Sequence, residues 1–376
     1  MHRKNTVNTP GILVINPGSS SLKWAYFKCL GAASATVTGQ NNAGNASQDI
    51  KTLLCKYPIG SVVIRFVHGG NEFVTPITID NVRLRTLEEL SSLAPLHNQQ
   101  ALLASKDISK STPGLRQIAV FDTEFFHDLP RVAQLYGLPN ELIVKYGIRR
   151  FGFHGFAHAS MLKQWHTLQG RHNARDIRLI TIQLGSGCSM AAIRNDRPVD
   201  STMGFTPNDG LLMSTRCGDM DPGLLTWLQK QEDWSPDDTD RILNKKSGWL
   251  GLSGESSNMG ELLHSNSVAA RLSVDLFMRR IRMTLGAYFV LLGGLDGVIF
   301  SGGISERSPG LCREILADLE NLGIVCAASS PMPTGKQETA ILAHQLTAAD
   351  SAAVCWTVRS DEARSMLDSV ENHLDN

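Results

Sequence analysis

Four charged residues stand in surroundings that are otherwise apolar or rich in glycine, and these residues could do chemistry. They are Arg65 in VVIRFVHGG, Asp122 in IAVFDTEFFHDLP, His154 in RRFGFHGFAH and Arg216 in MSTRCGDMDPG. An arginine within a strand-like apolar run is costly to bury unpaired, so Arg65 should face a cleft or a partner. For each residue taken singly, a structural role has the same weight as a functional one. Arg65 and Asp122 would then be a plain buried ion pair, and His154 a hydrogen-bonded histidine of the core.

Four other histidines are weaker candidates for a functional role, because the residues beside them are equally typical of a histidine that only forms hydrogen bonds within a loop. They are His68, His97, His127 and His158, of which His97 in LAPLHNQQ is the best because an apolar run precedes it.

Three short turns rich in glycine and serine favour the binding of an anion such as phosphate. NPGSSS interrupts the apolar segments of residues 12–27, LGSGCS interrupts those of residues 179–193, and SGG follows the apolar run that starts at residue 297. Small residues let a backbone approach a ligand, and hydroxyls beside exposed N–H groups make a donor-rich concavity. The first turn lacks the second glycine and the Lys-Ser/Thr pair of a P-loop, and alone it is equally an ordinary hairpin turn. Because three such turns accompany the four charged residues, a functional role for those residues is favoured over a purely structural one.

The first two turns each connect two apolar strand patterns, so one design occurs twice, about half a chain apart. Mixed strand and helix patterns follow each copy, which predicts two related α/β domains that face one cleft. A core helix is predicted over residues 274–292, where apolar residues recur at helical spacing. Arg279, Arg280 and Arg282 on its other face indicate a solvated or subunit-contact surface.

Composition favours a soluble enzyme or a small-ligand binder. The 376 residues include 36 basic and 36 acidic ones without a basic run, so nucleic acid and anionic membranes are not expected partners. Seven scattered cysteines without a CxxC pair indicate reduced thiols in the cytoplasm. The polar start MHRKNTVNTP does not resemble a signal peptide, and no segment is a good transmembrane candidate.

Sequence blocks along nearly the whole chain resemble the acetate kinases, of the superfamily of acetate and sugar kinases, heat-shock chaperones and actin. The matching blocks, in family order, are NPGSSSLK, RFVHGG, APLHN, FDTEFFHDLP, YGIRRFGFHG, DSTMGFTPNDGLLMSTRCGDMDPG, SGWLGLSG and GGLDGVIFSGGISE. The resemblance implies a duplicated actin-like (ribonuclease H-like) fold with a central cleft. Its expected domains are residues 1–123 plus 349–376, and residues 124–348 with the adenosine segment. It also implies a homodimer that reversibly transfers the γ-phosphoryl group of ATP to acetate or propionate with Mg²⁺ or Mn²⁺.

The resemblance also implies roles for individual positions. The implied catalytic residues are Arg65, Asp122, His154 and Arg216. The implied acceptor site comprises Arg65, Val67, Leu96, His97, Phe153 and Pro207. The implied nucleotide-binding residues are Ser19, Ser21, Lys23, Gly185, Ser186, Gly187, Gly302, Gly303 and Ser305. The implied metal ligands are Asn16 and Asp350.

This reaction explains the residue types. A carboxylate is ionised at neutral pH and needs no general base, so the difficulty is to bring it against an anionic phosphate. Two arginines and a divalent ion neutralise that repulsion, which favours direct in-line transfer.

Departures from the family pattern lie mainly on the nucleotide side. Gln183-Leu184-Gly185-Ser186-Gly187 stands where the family has His-Leu-Gly-Asn-Gly. Phe156 and Ala157 replace small polar residues, Arg307 replaces an asparagine, and Asp350 stands in for a glutamate. Two alternatives therefore stay open, a catalytically weakened regulatory paralogue and a kinase with a different phosphoryl donor.

Overall fold

The computed structural model describes residues 10–18, 21–93, 95–170, 176–327 and 343–374. The chain divides into two compact units. The first unit comprises Met1–His127 with Asp361–Asn376, and the second comprises Asp128–Ser360.

Each unit is built on a mixed sheet. The strands of the first sheet are β1 (Gly11–Pro17), β2 (Ser21–Phe27), β3 (Val37–Asn42), β4 (Ile59–Phe66), β5 (Ile77–Thr78) and β6 (Arg116–Phe121). Those of the second are β7 (Arg178–Leu184), β8 (Cys188–Arg194), β9 (Arg197–Ser201), β10 (Gly297–Ser301), β11 (His344–Gln345) and β12 (Val354–Thr357).

Helices connect and cover the strands. In chain order they are α1 (Ala46–Lys56), α2 (Asn81–Glu89), α3 (Pro95–Ser111), α4 (Arg131–Gln134), α5 (Asn140–Tyr146), α6 (Gly155–Gln169), α7 (Pro222–Gln231), α8 (Pro236–Arg241), α9 (Gly248–Ser253), α10 (Met259–His264), α11 (Val268–Leu292), α12 (Gly303–Arg307), α13 (Pro309–Leu316) and α14 (Glu362–Leu374).

The two sheets share one topology. The first has the order β3-β2-β1-β4-β6-β5 and the second β9-β8-β7-β10-β12-β11. In both, the first three strands pair antiparallel, the next two join in parallel, and the last is antiparallel. This correspondence confirms the duplicated α/β fold expected from the repeated strand-turn-strand design.

The apolar strands are buried because helices cover both faces of the first sheet. Leu13, Ile15 and Ile64 share a core with Ile50 of α1 and Ile108 of α3. Helix α14 packs against β1, β4 and β6. Central strands covered on both sides read as continuous apolar runs, and both GILVIN and SVVI have this pattern.

Both expected Gly-Ser hairpins form. Strands β1 and β2 pair up to Pro17 and Leu22, and the Gly18 amide donates to the Ser21 carbonyl at 2.9 Å. Strands β7 and β8 pair up to Leu184 and Cys188, with a Gly185 N–H to Gly187 carbonyl bond of 3.1 Å.

The chain returns to the first unit later than the sequence suggested. Residues 349–360 were expected in the first domain, but β12 pairs in parallel with β10, which places this stretch in the second unit. The return begins at Asp361, directly before α14.

The predicted core helix is part of α11, whose buried face includes Phe277, Ile281 and Leu285. One of its arginines corrects the expectation of a solvated face. The Arg282 Nη1 atom donates to the carbonyls of Ile315 at 2.9 Å and Ala317 at 2.6 Å. The side chain therefore satisfies carbonyls that the end of α13 leaves without intrahelical partners. Within the described ranges, no helix is long and apolar enough to cross a membrane.

Candidate functional site

In the first unit, strand register brings three of the candidate residues together. Ile15 pairs with Ile64 across the parallel β1–β4 ladder, and Arg65 pairs with Val120 across β4–β6. Asn16, Arg65 and Asp122 therefore follow one another along the carboxyl edge of the sheet. In open α/β sheets, this edge is where ligands bind.

The three side chains interact directly. Arg65 Nη1 donates to Asn16 Oδ1 at 2.9 Å, and Arg65 Nη2 forms an ion pair with Asp122 Oδ2. The Asp122 side chain is 2% exposed and that of Arg65 is 12% exposed. Burial lowers the pKa of the Arg65 guanidinium, but the charge and hydrogen bond of Asp122, with the charge of Glu362, outweigh it and raise the pKa. Arg65 is therefore a fixed positive charge, and its buried Nε has no hydrogen-bond partner among the described residues.

A fourth residue of this cluster, Glu362, was missed by the sequence analysis. Asn16 Nδ2 donates to Glu362 Oε2 at 3.4 Å, although the two residues are 346 positions apart. Asp350, the carboxylate expected beside Asn16, instead lies exposed in the second unit, in the turn between β11 and β12. The signal that could have identified Glu362 is the acidic pair Asp361-Glu362 at the start of a helical pattern.

The loop after β4 is held in place by Asn98 of α3. Its Oδ1 accepts from the backbone N–H groups of Val67 at 3.1 Å and His68 at 3.2 Å, and its Nδ2 donates to the His68 carbonyl at 2.8 Å. Val67 is consequently buried at the end of the strand that carries Arg65. The side chains of Leu96 and His97 fall outside the described part of the structure, as does Ser19.

The first hairpin places its remaining candidates on β2. Lys23 is exposed and lies opposite Asn16 in the ladder, and Ser21 closes the turn through its carbonyl group.

In the second unit, the Gly-Ser hairpin is attached to the loop that carries Arg216. The Ser186 carbonyl accepts from the Ser214 amide at 3.1 Å and from the Ser214 hydroxyl at 2.8 Å. Arg216 Nη1 donates to the Pro207 carbonyl at 3.0 Å. The positions expected to bind phosphate and the second arginine are therefore neighbours.

Arg216 lacks the carboxylate that balances Arg65. No described carboxylate forms an ion pair with it, and burial lowers the pKa of its guanidinium, with only a partial offset from Cys188. A buried cation without an acidic partner is costly, and a bound anion would remove that cost.

His154 faces the same space as Arg216. A Cβ atom added to Gly187 would lie 3.3 Å from His154 Nε2 and 3.6 Å from Arg216 Nη1. His154 immediately precedes α6 with φ 59° and ψ 30°, an uncommon backbone conformation for a residue other than glycine. Phe153 beside it is buried. The glycine thus leaves open the space that an imidazole and a guanidinium border.

The third turn requires its first glycine. Gly302 has φ 94°, and a Cβ there would lie 2.4 Å from the Leu184 carbonyl oxygen. The buried Ser305 hydroxyl donates to the Gly302 carbonyl at 2.9 Å. A Cβ on Gly303 would lie 2.8 Å from Arg307 Nη1, so the substituted arginine covers this segment. The buried Gln183 Oε1 has no hydrogen-bond partner among the described residues.

Two other departures are changes in the core. Phe156 and Ala157 are both buried in α6. His158 is also buried there, so the expectation of a loop hydrogen-bonder was wrong.

Comparisons with known proteins agree with this arrangement. A model of the Acetokinase family matches residues 35–366. An acetate kinase of Clostridium novyi is 40% identical over 287 residues, which is 75% of this chain and 71% of that protein.

Solved structures of the family superpose over nearly the full length. Acetate kinase of Porphyromonas gingivalis has a TM-score of 0.81 and 30% identity, with 97% of this chain and 100% of that chain covered. A propionate kinase of Francisella tularensis has a TM-score of 0.85 and 26% identity, with 96% and 99% covered. Their fold is the duplicated actin-like fold, and the protein described here belongs to the acetokinase family.

Proposed function

We propose that this protein reversibly transfers the γ-phosphoryl group of ATP to acetate or propionate, giving an acyl phosphate and ADP. The observation that carries this proposal is Arg216, a partly buried guanidinium without a described carboxylate partner, which shares the space at Gly187 with His154 Nε2. An anion that gains charge during transfer is the ligand that such a pair would stabilise.

The residues divide the chemical work as follows. Arg216 and His154 bind the oxygens of the travelling phosphoryl group, while the positive charge of Arg65 offsets the negative charge of the acceptor carboxylate. The acceptor is already ionised, so Asp122 serves to orient Arg65 and the metal rather than to remove a proton. We assign Val67, Leu96, Phe153 and Pro207 to the short alkyl group of the acceptor, with His97 as a further acceptor-site position, on the basis of the family resemblance.

The first unit offers oxygen donors that suit Mg²⁺, with Mn²⁺ as a substitute. They are Asn16 Oδ1 and the carboxylates of Asp122 and Glu362. Among the described residues no three His, Cys, Asp or Glu side chains could hold a metal ion as a group. Mg²⁺ is usually held by one or two carboxylates together with nucleotide phosphates, and the oxygen donors of Asn16, Asp122 and Glu362 suit that mode of binding. When bound, the ion supplies positive charge to the phosphate oxygens.

The nucleotide is assigned to the Gly-Ser turns. The family resemblance assigns Ser19, Ser21, Lys23, Gly185, Ser186 and Gly187 to the phosphates and Gly302, Gly303 and Ser305 to the adenosine. The phosphoryl donor has to be measured, because Arg307 and Gln183 both lie at this segment and both differ in residue type from the family pattern.

Assembly and location complete the proposal. Exposed apolar side chains along α11, such as Leu272 and Val290, support a homodimer. The balanced charge and the free cysteines support a cytoplasmic enzyme with small-molecule partners.

The experiment is to trap acyl phosphate as the hydroxamate, with acetate, propionate and butyrate as acceptors and ATP or pyrophosphate as donor. We expect product from ATP with both short acids, within about 10- to 200-fold of each other, because one methylene changes binding by about 1–3 kcal/mol. Product from pyrophosphate alone would overturn the ATP assignment. No product from any combination, in protein that still binds ATP, would favour the regulatory paralogue.

A further inference from the structure

A chain of hydrogen bonds in the second unit ends at His154. Thr181 Oγ1 lies 2.7 Å from His158 Nδ1, His158 Nε2 lies 2.8 Å from Ser189 Oγ, and Ser189 Oγ lies 2.9 Å from His154 Nδ1. Thr181, His158 and Ser189 are completely buried. Only the last member, His154, reaches the space at Gly187.

Sheet register and helix spacing set up this chain. In the β7–β8 ladder Gln183 pairs with Ser189, so Thr181 and Ser189 lie on the same face. Helix α6 packs against β7, and its residue His158 lies one turn after His154. The His158 amide donates to the His154 carbonyl at 3.0 Å, which fixes the spacing of the two imidazoles.

Ser189 determines the direction of the chain. Its hydroxyl carries one proton, and its partners among the described residues are the two imidazoles. If the proton goes to His154 Nδ1, His154 carries its own proton on Nε2, His158 Nε2 donates to Ser189, and Thr181 donates to His158 Nδ1. If the proton goes to His158 instead, every bond reverses and His154 Nε2 presents a lone pair.

The surroundings of His154 Nε2 select the first arrangement. Arg216 Nη1 borders the same space, and no described carboxylate pairs with it, so the space suits an anion. A lone pair on Nε2 would repel that anion, whereas an N–H group would bind it.

We propose that Ser189 is a positioning residue that holds His154 as the neutral Nε2–H tautomer, aimed at the travelling phosphoryl group. His158 and Thr181 orient the Ser189 hydroxyl from behind. The role of the N–H group rests on the proposed function, but the tautomer itself does not.

Two-bond ¹H–¹⁵N spectra of [¹⁵N]histidine-labelled protein test the tautomer without any activity measurement. His154→Gln assigns the His154 signals. We expect the Nε2–H tautomer in the wild type near neutral pH and a mixture of tautomers in Ser189→Ala. The control is Ser201→Ala, a buried serine at the end of β9 whose hydroxyl has no described partner, and it should keep the wild-type pattern.

Kinetics provide a second readout. Ser189→Ala should lower kcat about tenfold or more and leave the KM for both substrates within about twofold, because positioning acts mainly in the transition state. Thr181→Val should have a smaller effect of the same kind, and Thr181→Ser, which keeps the hydroxyl, should restore the wild-type rate.

Several results would overturn the proposal. An Nδ1–H tautomer or an imidazolium in the folded wild type would do so even if Ser189→Ala failed to fold. An unchanged tautomer in a folded Ser189→Ala with reduced kcat would also do so. Absence of kinase activity together with the expected tautomer would instead remove the proposed function and leave the hydrogen-bond chain in place.

Discussion

The two candidate arginines differ in how their charges are balanced. Arg65 is neutralised by Asp122 within its own unit, and Asn16 adds a hydrogen bond. Among the described residues, the side-chain hydrogen bonds of Arg216 go to the carbonyl of Pro207 and the thioether of Met213. A residue whose charge is already paired mainly orients, whereas one without a partner is available to a ligand anion. The stronger catalytic contribution should therefore come from Arg216.

Arg216→Ala should reduce kcat by about 10³- to 10⁵-fold, the range that comparable arginines contribute to phosphoryl transfer. The protein should stay folded, because removing Arg216 leaves no described carboxylate unpaired. Hydroxamate formation and circular dichroism measure the two effects. The matched control, Arg194→Ala, removes an exposed arginine at the end of β8 and should leave the rate unchanged. A near wild-type rate in Arg216→Ala would exclude it from the mechanism.

Glu362→Gln should raise the Mg²⁺ concentration needed for half-maximal activity by about 10- to 100-fold, because it removes a carboxylate at Asn16. Asp350→Asn should leave that concentration unchanged, since Asp350 is exposed in a turn of the second unit. Titration of activity with Mg²⁺ compares the two variants directly. If Asp350→Asn raised that concentration and Glu362→Gln did not, Asp350 would be the carboxylate linked to the metal, as the family resemblance implies.

At the scale of elements, each sheet has a hairpin turn at the carboxyl end of a strand that also pairs in parallel, after β1 in the first unit and after β7 in the second. In the second unit the β7–β8 turn also contacts the Arg216 loop through Ser186 and Ser214. The backbone of this turn therefore borders the ligand space, and a side chain has little room at Gly187.

Gly187→Ala should lower kcat/KM at least tenfold with little change in the free energy of unfolding. The new methyl group would lie 3.2 Å from His154 Cε1, within the space assigned to the phosphoryl group. Gly310→Ala is a suitable control because a Cβ there meets no atom within 4 Å. Steady-state kinetics and urea unfolding of both variants measure the effects. Equal activity of the two alanine variants would place the ligand elsewhere.

At the scale of the whole molecule, the exposure of each cysteine shows which parts of the protein solvent can reach. Cys29 and Cys55 are exposed, whereas Cys188, Cys312 and Cys355 are buried. Burial raises the pKa of the Cys188 thiol to about 12 and raises the pKa values of Cys312 and Cys355 as well. Since the thiolate is the reactive form, these thiols should be inert in the native protein.

Iodoacetamide at pH 8 should therefore alkylate Cys29 and Cys55 rapidly and the three buried cysteines only after denaturation. Peptide mass spectrometry identifies the modified residues, and the urea-denatured protein provides the fully reactive reference. Rapid alkylation of Cys188 in the native protein would contradict its burial in the β7–β8 hairpin.

Local patterns in the sequence were enough to predict both hairpins, the core helix and the duplicated fold. Hydrophobic periodicity and turn residues act over a few positions, so they can be recognised without knowing the rest of the structure. The ordered blocks likewise supplied the residues that are proposed to act in the reaction, including Arg65, Asp122, His154 and Arg216.

Partners that are distant in sequence were decided only by the tertiary structure. Glu362 meets Asn16 because β12 completes the second sheet before α14 returns to the first, whereas Asp350 stays behind in a turn. Ser189 meets His154 because antiparallel register and helix packing converge there. Such contacts depend on strand order, register and the path of the chain, which no local pattern encodes. The sequence alone therefore determined the duplicated fold and the candidate reacting groups, and the tertiary structure decided which distant residues contact those groups.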